Sequence, residues 1–341
     1  MTTHDLAATA KALVAPGRGI LAADESTSTI GKRFKGINVE NTEENRRLYR
    51  ELMLTAKGAG QYASGAILYD ETLRQKTSAG VPLPAAMQKD GVLAGIKVDT
   101  GAKALAGFPG ETVTEGLDGL RERLAEYRGL GARFTKWRAV ITIGPGIPTP
   151  ACIDVNAHAL ARYAALVQEA GLVPIVEPEV LMDGDHTIER CEIVTETTLR
   201  HVFATLHRLG VVLEHMLLKP NMVIAGKDCR VQASVQQVAE ATVRCLRRAV
   251  PAAVPGIVFL SGGQSPELAT EHLNAMNAMG EHPWPLSFSY GRALQDAALH
   301  TWGGKSANVA AAQKAYLHRL KCVSAACSGK YSKQMEVGAA A

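Results

Sequence analysis

The chain has 341 residues, 47% of them hydrophobic, with a formal net charge of +4 and a pI near 8.7. That is enough apolar sequence for a large core, and a single α/β barrel reaches this length. The charge is too balanced and too scattered for a nucleic-acid surface, and no run is long enough to span a membrane. The six cysteines form no C-x-x-C pair, and the start "MTTHDLAATAKALVAPGRG" has no apolar core behind a basic segment. Reduced thiols in a cytoplasm are therefore expected.

Eight short β-type runs recur along the chain. "GILAAD" (19–24) is followed by the helical "ENRRLYRELMLTA" and then by "GAILY" (65–69). A short Gly- and Pro-rich connection, with room for only a minor helix, leads to "VLAGIKVD" (92–99). "GLDGLRERLAEYRGLG" ends on a glycine suited to a C-cap before "FTKWRAVIT" (134–142). "NAHALARYAALVQEAG" precedes "LVPIVEPEV" (172–180), and "TIERCEIVTETTLRHVFATLHRLG" precedes "HMLLKPNMV" (215–223). "SVQQVAEATVRCLRRAV" precedes "GIVFLSGG" (256–263), and "SPELATEHLNAMNAMG", with Ser265 as N-cap and Pro266 at the first helical position, precedes "LSFSYGR" (286–292). Several runs are apolar through most of their length, as strands covered on both faces are. Strand and helix alternating eight times predict a single-domain parallel (β/α)8 TIM barrel over residues 1–331. A doubly wound sheet is disfavoured because no G-x-G-x-x-G follows any run. Residues 332–341 read as a flexible tail.

The runs end in charge. Asp24 and Glu25 close the first; Lys97 and Asp99, Lys136 and Arg138, Glu177 and Glu179, and Lys219 fall in the later ones. In a barrel these ends meet on one face, where the active site lies, and residues two apart on a strand share a side. Singly, each charge reads as a solvated strand end or half of an ion pair. Together, at several kcal/mol of desolvation per unpaired ion, they read as chemistry. A lysine held in a dry site beside another cation loses its proton more easily and becomes a nucleophile toward carbonyls. Lys136 and Lys219 are candidates for that pair, with Pro220 biasing Lys219 toward extended backbone. "LSGGQSPEL" and "SYGRALQ" each join a strand to a helix start through glycine, the second with Arg292, which favours phosphate binding after the last two strands.

"VAPGRGILAADES", "GIKVDTG", "KWRAV", "IVEPEVL", "LLKPNMV", "FLSGGQS" and "FSYGRALQ" occur in the order and spacing of class I fructose-bisphosphate aldolases, and "NTEENRRLYRELMLTA" and "HTWGGK" fit as well. The resemblance runs from about Asp5 to Tyr331. It implies a cytoplasmic homotetramer, with no membrane or nucleic-acid partner, that cleaves fructose 1,6-bisphosphate reversibly to dihydroxyacetone phosphate and glyceraldehyde 3-phosphate. A lysine Schiff base does the work, with no metal and no cofactor. By motif, Lys219 resembles the Schiff-base lysine, Glu177 the acid/base for carbinolamine dehydration, and Asp24 the carboxylate that takes the C4-hydroxyl proton. Lys136 would lower the pKa of Lys219, with Glu179 and Arg138 supporting the charge network. Lys97 would hold the hydroxyl and 6-phosphate region. Ser261, Gly262, Gly263, Ser289, Gly291 and Arg292 resemble the 1-phosphate site, and Arg33 and Thr29 belong near the other phosphate.

Two departures stand out. Ser28 replaces a usual glycine, so a β-carbon is expected to oppose a positive φ there. The sequence closes on "VGAAA" without the terminal tyrosine of many members, which implies either slower proton exchange at the dihydroxyacetone phosphate carbon or another group in that role. Preference for the bisphosphate over fructose 1-phosphate stays open. Other readings are a Schiff-base enzyme for another sugar, a metal-dependent aldolase and a non-catalytic scaffold. The metal reading wants clustered histidines, but the ten here are dispersed and "DGDH" (183–186) reads as a loop.

Overall fold

A computed structural model describes the backbone of residues 3–340 and the side chains of residues 6–337. Among the described residues ten strands occur in chain order: β1 (Gly19–Ala23), β2 (Ala63–Leu68), β3 (Leu93–Lys97), β4 (Gly101–Ala104), β5 (Thr112–Glu115), β6 (Phe134–Ile141), β7 (Val173–Val180), β8 (Leu217–Leu218), β9 (Ile257–Phe259) and β10 (Leu286–Tyr290). Eight of them close a barrel in the order β1-β10-β9-β8-β7-β6-β3-β2, every pair parallel. The expected barrel is therefore present. β4 and β5 form an antiparallel hairpin outside it, between the third and fourth barrel strands, which the sequence reading did not separate from its neighbours.

The barrel interior is layered by the two-residue period of its strands. Ile20, Ala22, Ile67, Phe134, Val173, Ile175, Leu217 and Val258 form an apolar floor. The N-terminal helix Thr3–Leu13 seals it from below with Leu6, Ala10 and Leu13. Burying a leucine such as Leu13 contributes about 1.5–3 kcal/mol. Phe134 fills the floor because two neighbouring strands carry glycine. A Cβ on Gly95 would lie 2.3 Å from the Phe134 ring, and one on Gly65 2.9 Å from it.

Two residues beyond the floor, the same strand faces turn ionic: Ala22 is followed by Asp24, Gly95 by Lys97, Phe134 by Lys136, Ile175 by Glu177 and Leu217 by Lys219. The outward-facing residues, including Leu21, Trp137, Val176 and Leu218, pack under the surrounding helices in a second apolar layer.

Several boundaries differ from the reading of the sequence. β8 spans only two residues: Pro220, whose backbone faces β9, has no N–H to donate there. Lys219 still donates its own N–H to Val176 O at 2.9 Å, and the Asn221 side chain takes over from the backbone by accepting from Val180 N at 2.9 Å. Position 28 lies inside the helix Thr27–Lys35, and Asn38 is the only non-glycine residue with positive φ among those described. The expected backbone conflict at Ser28 does not arise; its hydroxyl sits 3.1 Å from that of the N-cap, Ser26. In the segment read as a flexible tail, Lys333–Ala340 forms a 3-10 helix, and Tyr331 donates to Glu336 Oε1 at 2.7 Å. Ala341 lies outside the described residues.

Candidate active site

The C-terminal ends of the strands open into a cavity of about 710 Å³. Its lining includes every catalytic and substrate-binding residue expected from the sequence except Gly263. Gly263 instead makes the turn after β9 possible: its φ is +75°, and a Cβ there would meet Met182 Cγ at 2.3 Å.

At the centre, acids and amines alternate. Lys136 Nζ lies 2.7 Å from Asp24 Oδ2 and 3.3 Å from Glu177 Oε2, and Lys219 Nζ lies 3.1 Å from Glu177 Oε1. Lys136, Glu177 and Lys219 are all buried. The Lys136 contact to Glu177 is an ion pair without hydrogen-bond alignment, so Oε2 has no hydrogen-bond partner among the described residues.

Burial alone would push Asp24 up, but Lys136 and Lys219 outweigh it and hold the carboxyl well below the usual range. Glu177 is lowered in the same way, against burial, by Lys136, Lys219 and Arg138. Lys136 is raised: burial opposes its charge, and Asp24, Glu177 and Asp99 together override it. The cluster thus rests with Asp24 and Glu177 as carboxylates and Lys136 as an ammonium.

A second tier supports this centre. Arg138 bonds Glu179, which is buried, and its own charge is further secured by that pair. Gly262 lies close against this pair: a Cβ there would stand 3.2 Å from Glu179 Oε1. Lys97 pairs with Asp99 Oδ1 at 2.7 Å, and Asp99 also accepts from Gly101 N. On the opposite rim, Ser261 and Gly262 precede the helix Pro266–Ala278, and Gly291 precedes the helix Arg292–Trp302. Ser289 is buried between them, and its Oγ finds no partner among the described residues. Two helix starts, a guanidinium and an unpaired hydroxyl suit an anionic group.

Arg33 reaches the cavity but is anchored, with Nη1 2.6 Å from Glu25 Oε1 and 3.3 Å from Gln295 Oε1. Glu25 is also held by Arg50 at 3.0 Å and by Gln295 Nε2 at 2.8 Å. Sequence reasoning noted Glu25 as a strand-end charge but missed Arg50 and Gln295. Gln295 lies in the "RALQ" motif and Arg50 in "NTEENRRLYRELMLTA", the visible signals for the two.

An eight-stranded parallel barrel with lysines and carboxylates paired at its C-terminal mouth has the architecture of a barrel enzyme. The family described as "Fructose-bisphosphate aldolase class-I" matches residues 5–341. A probable fructose-bisphosphate aldolase class 1 from Xanthomonas campestris is 62% identical, covering 97% of this chain and 99% of its own. "Fructose-bisphosphate aldolase 4, cytosolic" from Arabidopsis thaliana is 55% identical over 98% of this chain and 86% of its own. A solved structure of the Plasmodium falciparum aldolase, in complex with TRAP and a small molecule inhibitor, superposes with a TM-score of 0.96 at 53% identity, covering 96% of this chain and 95% of that one. The chain belongs to the class I fructose-bisphosphate aldolases. As such it is a lyase that cleaves fructose 1,6-bisphosphate reversibly through a lysine Schiff base.

Proposed function

We propose that Lys219 is the Schiff-base lysine and that Glu177 manages its protons. The observation that carries this reading is the 3.1 Å contact between Lys219 Nζ and Glu177 Oε1 in a buried site. Transfer of one proton across that contact creates both species the first steps need, a free amine and a carboxylic acid. The amine adds to the C2 carbonyl of the sugar. Glu177 then protonates the carbinolamine hydroxyl, which leaves as water, and the iminium forms. Asp24 takes the C4-hydroxyl proton while the C3–C4 bond breaks and its electrons move into the iminium, giving an enamine and glyceraldehyde 3-phosphate. Protonation at C3 and addition of water then release dihydroxyacetone phosphate and restore Lys219.

Lys136, fixed as a cation by Asp24, orients both carboxylates and binds substrate hydroxyls. Glu179 and Arg138 hold the charge balance around it. Ser261, Gly262, Ser289, Gly291 and Arg292 take the 1-phosphate, with Gly263 shaping their turn. Lys97, Arg33 and Thr29 face the 6-phosphate end. We assign the chain to the cytoplasm, in keeping with its cytosolic Arabidopsis relative and with the finding that no described helix is long and apolar enough to cross a membrane. By family resemblance it acts as a homotetramer, which light scattering on the purified chain checks.

Borohydride trapping tests the central assignment. Reduction in the presence of dihydroxyacetone phosphate is expected to leave one ligand-sized adduct per chain, mapped to Lys219, absent in Lys219→Ala and unaffected by a chelator. An adduct on another lysine, or none on well-folded protein, refutes it.

A further inference from the structure

Away from the catalytic cavity, three potential metal ligands converge. His318 and Cys322 stand one helical turn apart on Val309–Ala326, and Glu336 comes from the C-terminal 3-10 helix. His318 Nε2 lies 3.6 Å from Cys322 Sγ and 4.0 Å from Glu336 Oε2, and the three ligand atoms all fall within 4.8 Å of one another. None of the three lines the catalytic cavity.

We propose that His318, Cys322 and Glu336 bind a zinc-type divalent cation that locks the C-terminal segment onto the last helix. Tetrahedral geometry with a metal–sulfur distance of about 2.3 Å and a metal–nitrogen distance of about 2.05 Å requires nitrogen and sulfur about 3.6 Å apart, which is the spacing found. The nitrogen–oxygen edge has to contract from 4.0 Å to about 3.4 Å, a shift within reach of a glutamate side chain. One thiolate, one imidazole and one carboxylate suit a borderline-soft ion, with water as the fourth ligand.

The complex itself, a divalent cation with one thiolate and one carboxylate, is neutral; because Glu336 is already paired with Arg319, binding leaves the site one unit more positive than before. Binding displaces the Cys322 thiol proton to solvent. Glu336 is already aimed by its own partners, since Tyr331 donates to Oε1 and Arg319 bonds Oε2. Such outer partners commonly orient metal-ligating carboxylates. Cys322 is fully buried, whereas His318 and Glu336 are 17% and 22% exposed and provide the way in.

Arg319 makes the site consequential. It also donates to Pro266 O at 3.2 Å, to Thr270 Oγ1 at 2.9 Å and to Ala293 O at 3.4 Å, and so touches both helices that border the anion site. A metal on Glu336 would fix the position of that guanidinium and tie the C-terminal segment to both helices.

Cobalt(II) titration of the chelator-treated full chain tests this. The expected result is one ion per chain with a thiolate-to-cobalt charge-transfer band that zinc displaces. The band should vanish in Cys322→Ser, and affinity should fall at least about tenfold in His318→Gln, a change at a partly exposed position that keeps the test open if the cysteine variant fails to fold. No thiolate band at millimolar cobalt, or a band that persists in His318→Gln at unchanged affinity, overturns the proposal.

Discussion

Lys219 and Lys136 face the same carboxylate, one at each oxygen of Glu177, at 3.1 and 3.3 Å. The two amines are not equivalent, because Lys136 has a second carboxylate, Asp24, at 2.7 Å and Lys219 does not. One amine is therefore pinned as a cation, and the other is left with the group that can accept its proton.

Replacing Glu177 by Gln keeps the shape of the site and removes the proton carrier. We expect kcat to fall about 10²- to 10⁴-fold, the usual range for a positioned acid/base, with slow formation of the iminium. Rapid-quench borohydride trapping measures that step directly. Iminium formation at the normal rate in Glu177→Gln would remove Glu177 from dehydration.

Asp24→Asn separates bond cleavage from Schiff-base formation. Cleavage of the bisphosphate should drop by about 10²- to 10⁴-fold, while the adduct between dihydroxyacetone phosphate and Lys219 still traps. Loss of trapping in step with cleavage would instead mean that Asp24 acts through Lys136 on the nucleophile.

The buried pair between Arg50 and Glu25 makes a stability prediction. Arg50→Met leaves Glu25 with Arg33 and Gln295 and with one vacated direction, and should cost about 3 kcal/mol. Urea unfolding reads this directly. A change below about 1 kcal/mol would show that Arg33 and Gln295 suffice.

The central cluster also sets a pH window. Asp24 and Glu177 are held below their unfolded values of about 3.9 and 4.3, so their contribution is present above those values and is lost as pH falls through the lower folded ones. Lys136 is held above its unfolded value of about 10.4, so its contribution is complete below that and is lost as pH rises through the higher folded one. Between about pH 5 and pH 10 these groups should leave stability flat. In Lys136→Met Asp24 loses its paired cation and Glu177 loses one of the cations beside it, and the acid unfolding midpoint should move to higher pH. Tryptophan fluorescence against pH follows it, and an unmoved acid limb would contradict the assigned coupling.

Much of this was legible because barrel strands repeat every two residues. The inward order Phe134, Lys136, Arg138 and the inward order Ile175, Glu177, Glu179 can be written down from the sequence once the strands are recognised. What escaped depends on long-range closure. Gln295 reaches Glu25 across 270 positions, and no local spacing encodes that contact. The extent of β8 was overestimated because the apolar run around Lys219 continues through Met222 and Val223. Those residues stay buried while Asn221, not the backbone, carries the bond to β7. The concern over Ser28 came from treating a helix start as a loop.

The plug formed by Thr3–Leu13 beneath the strands has a kinetic corollary. With the lower end closed, the chamber has a single doorway, at the strand ends. Both halves of a cleaved sugar must leave through it, and one of them is still covalently attached to the enzyme when the other is set free. Departure is thereby ordered by architecture: the untethered aldehyde goes first, the ketose half follows only after hydrolysis, and in the synthetic direction the sequence of arrivals is reversed.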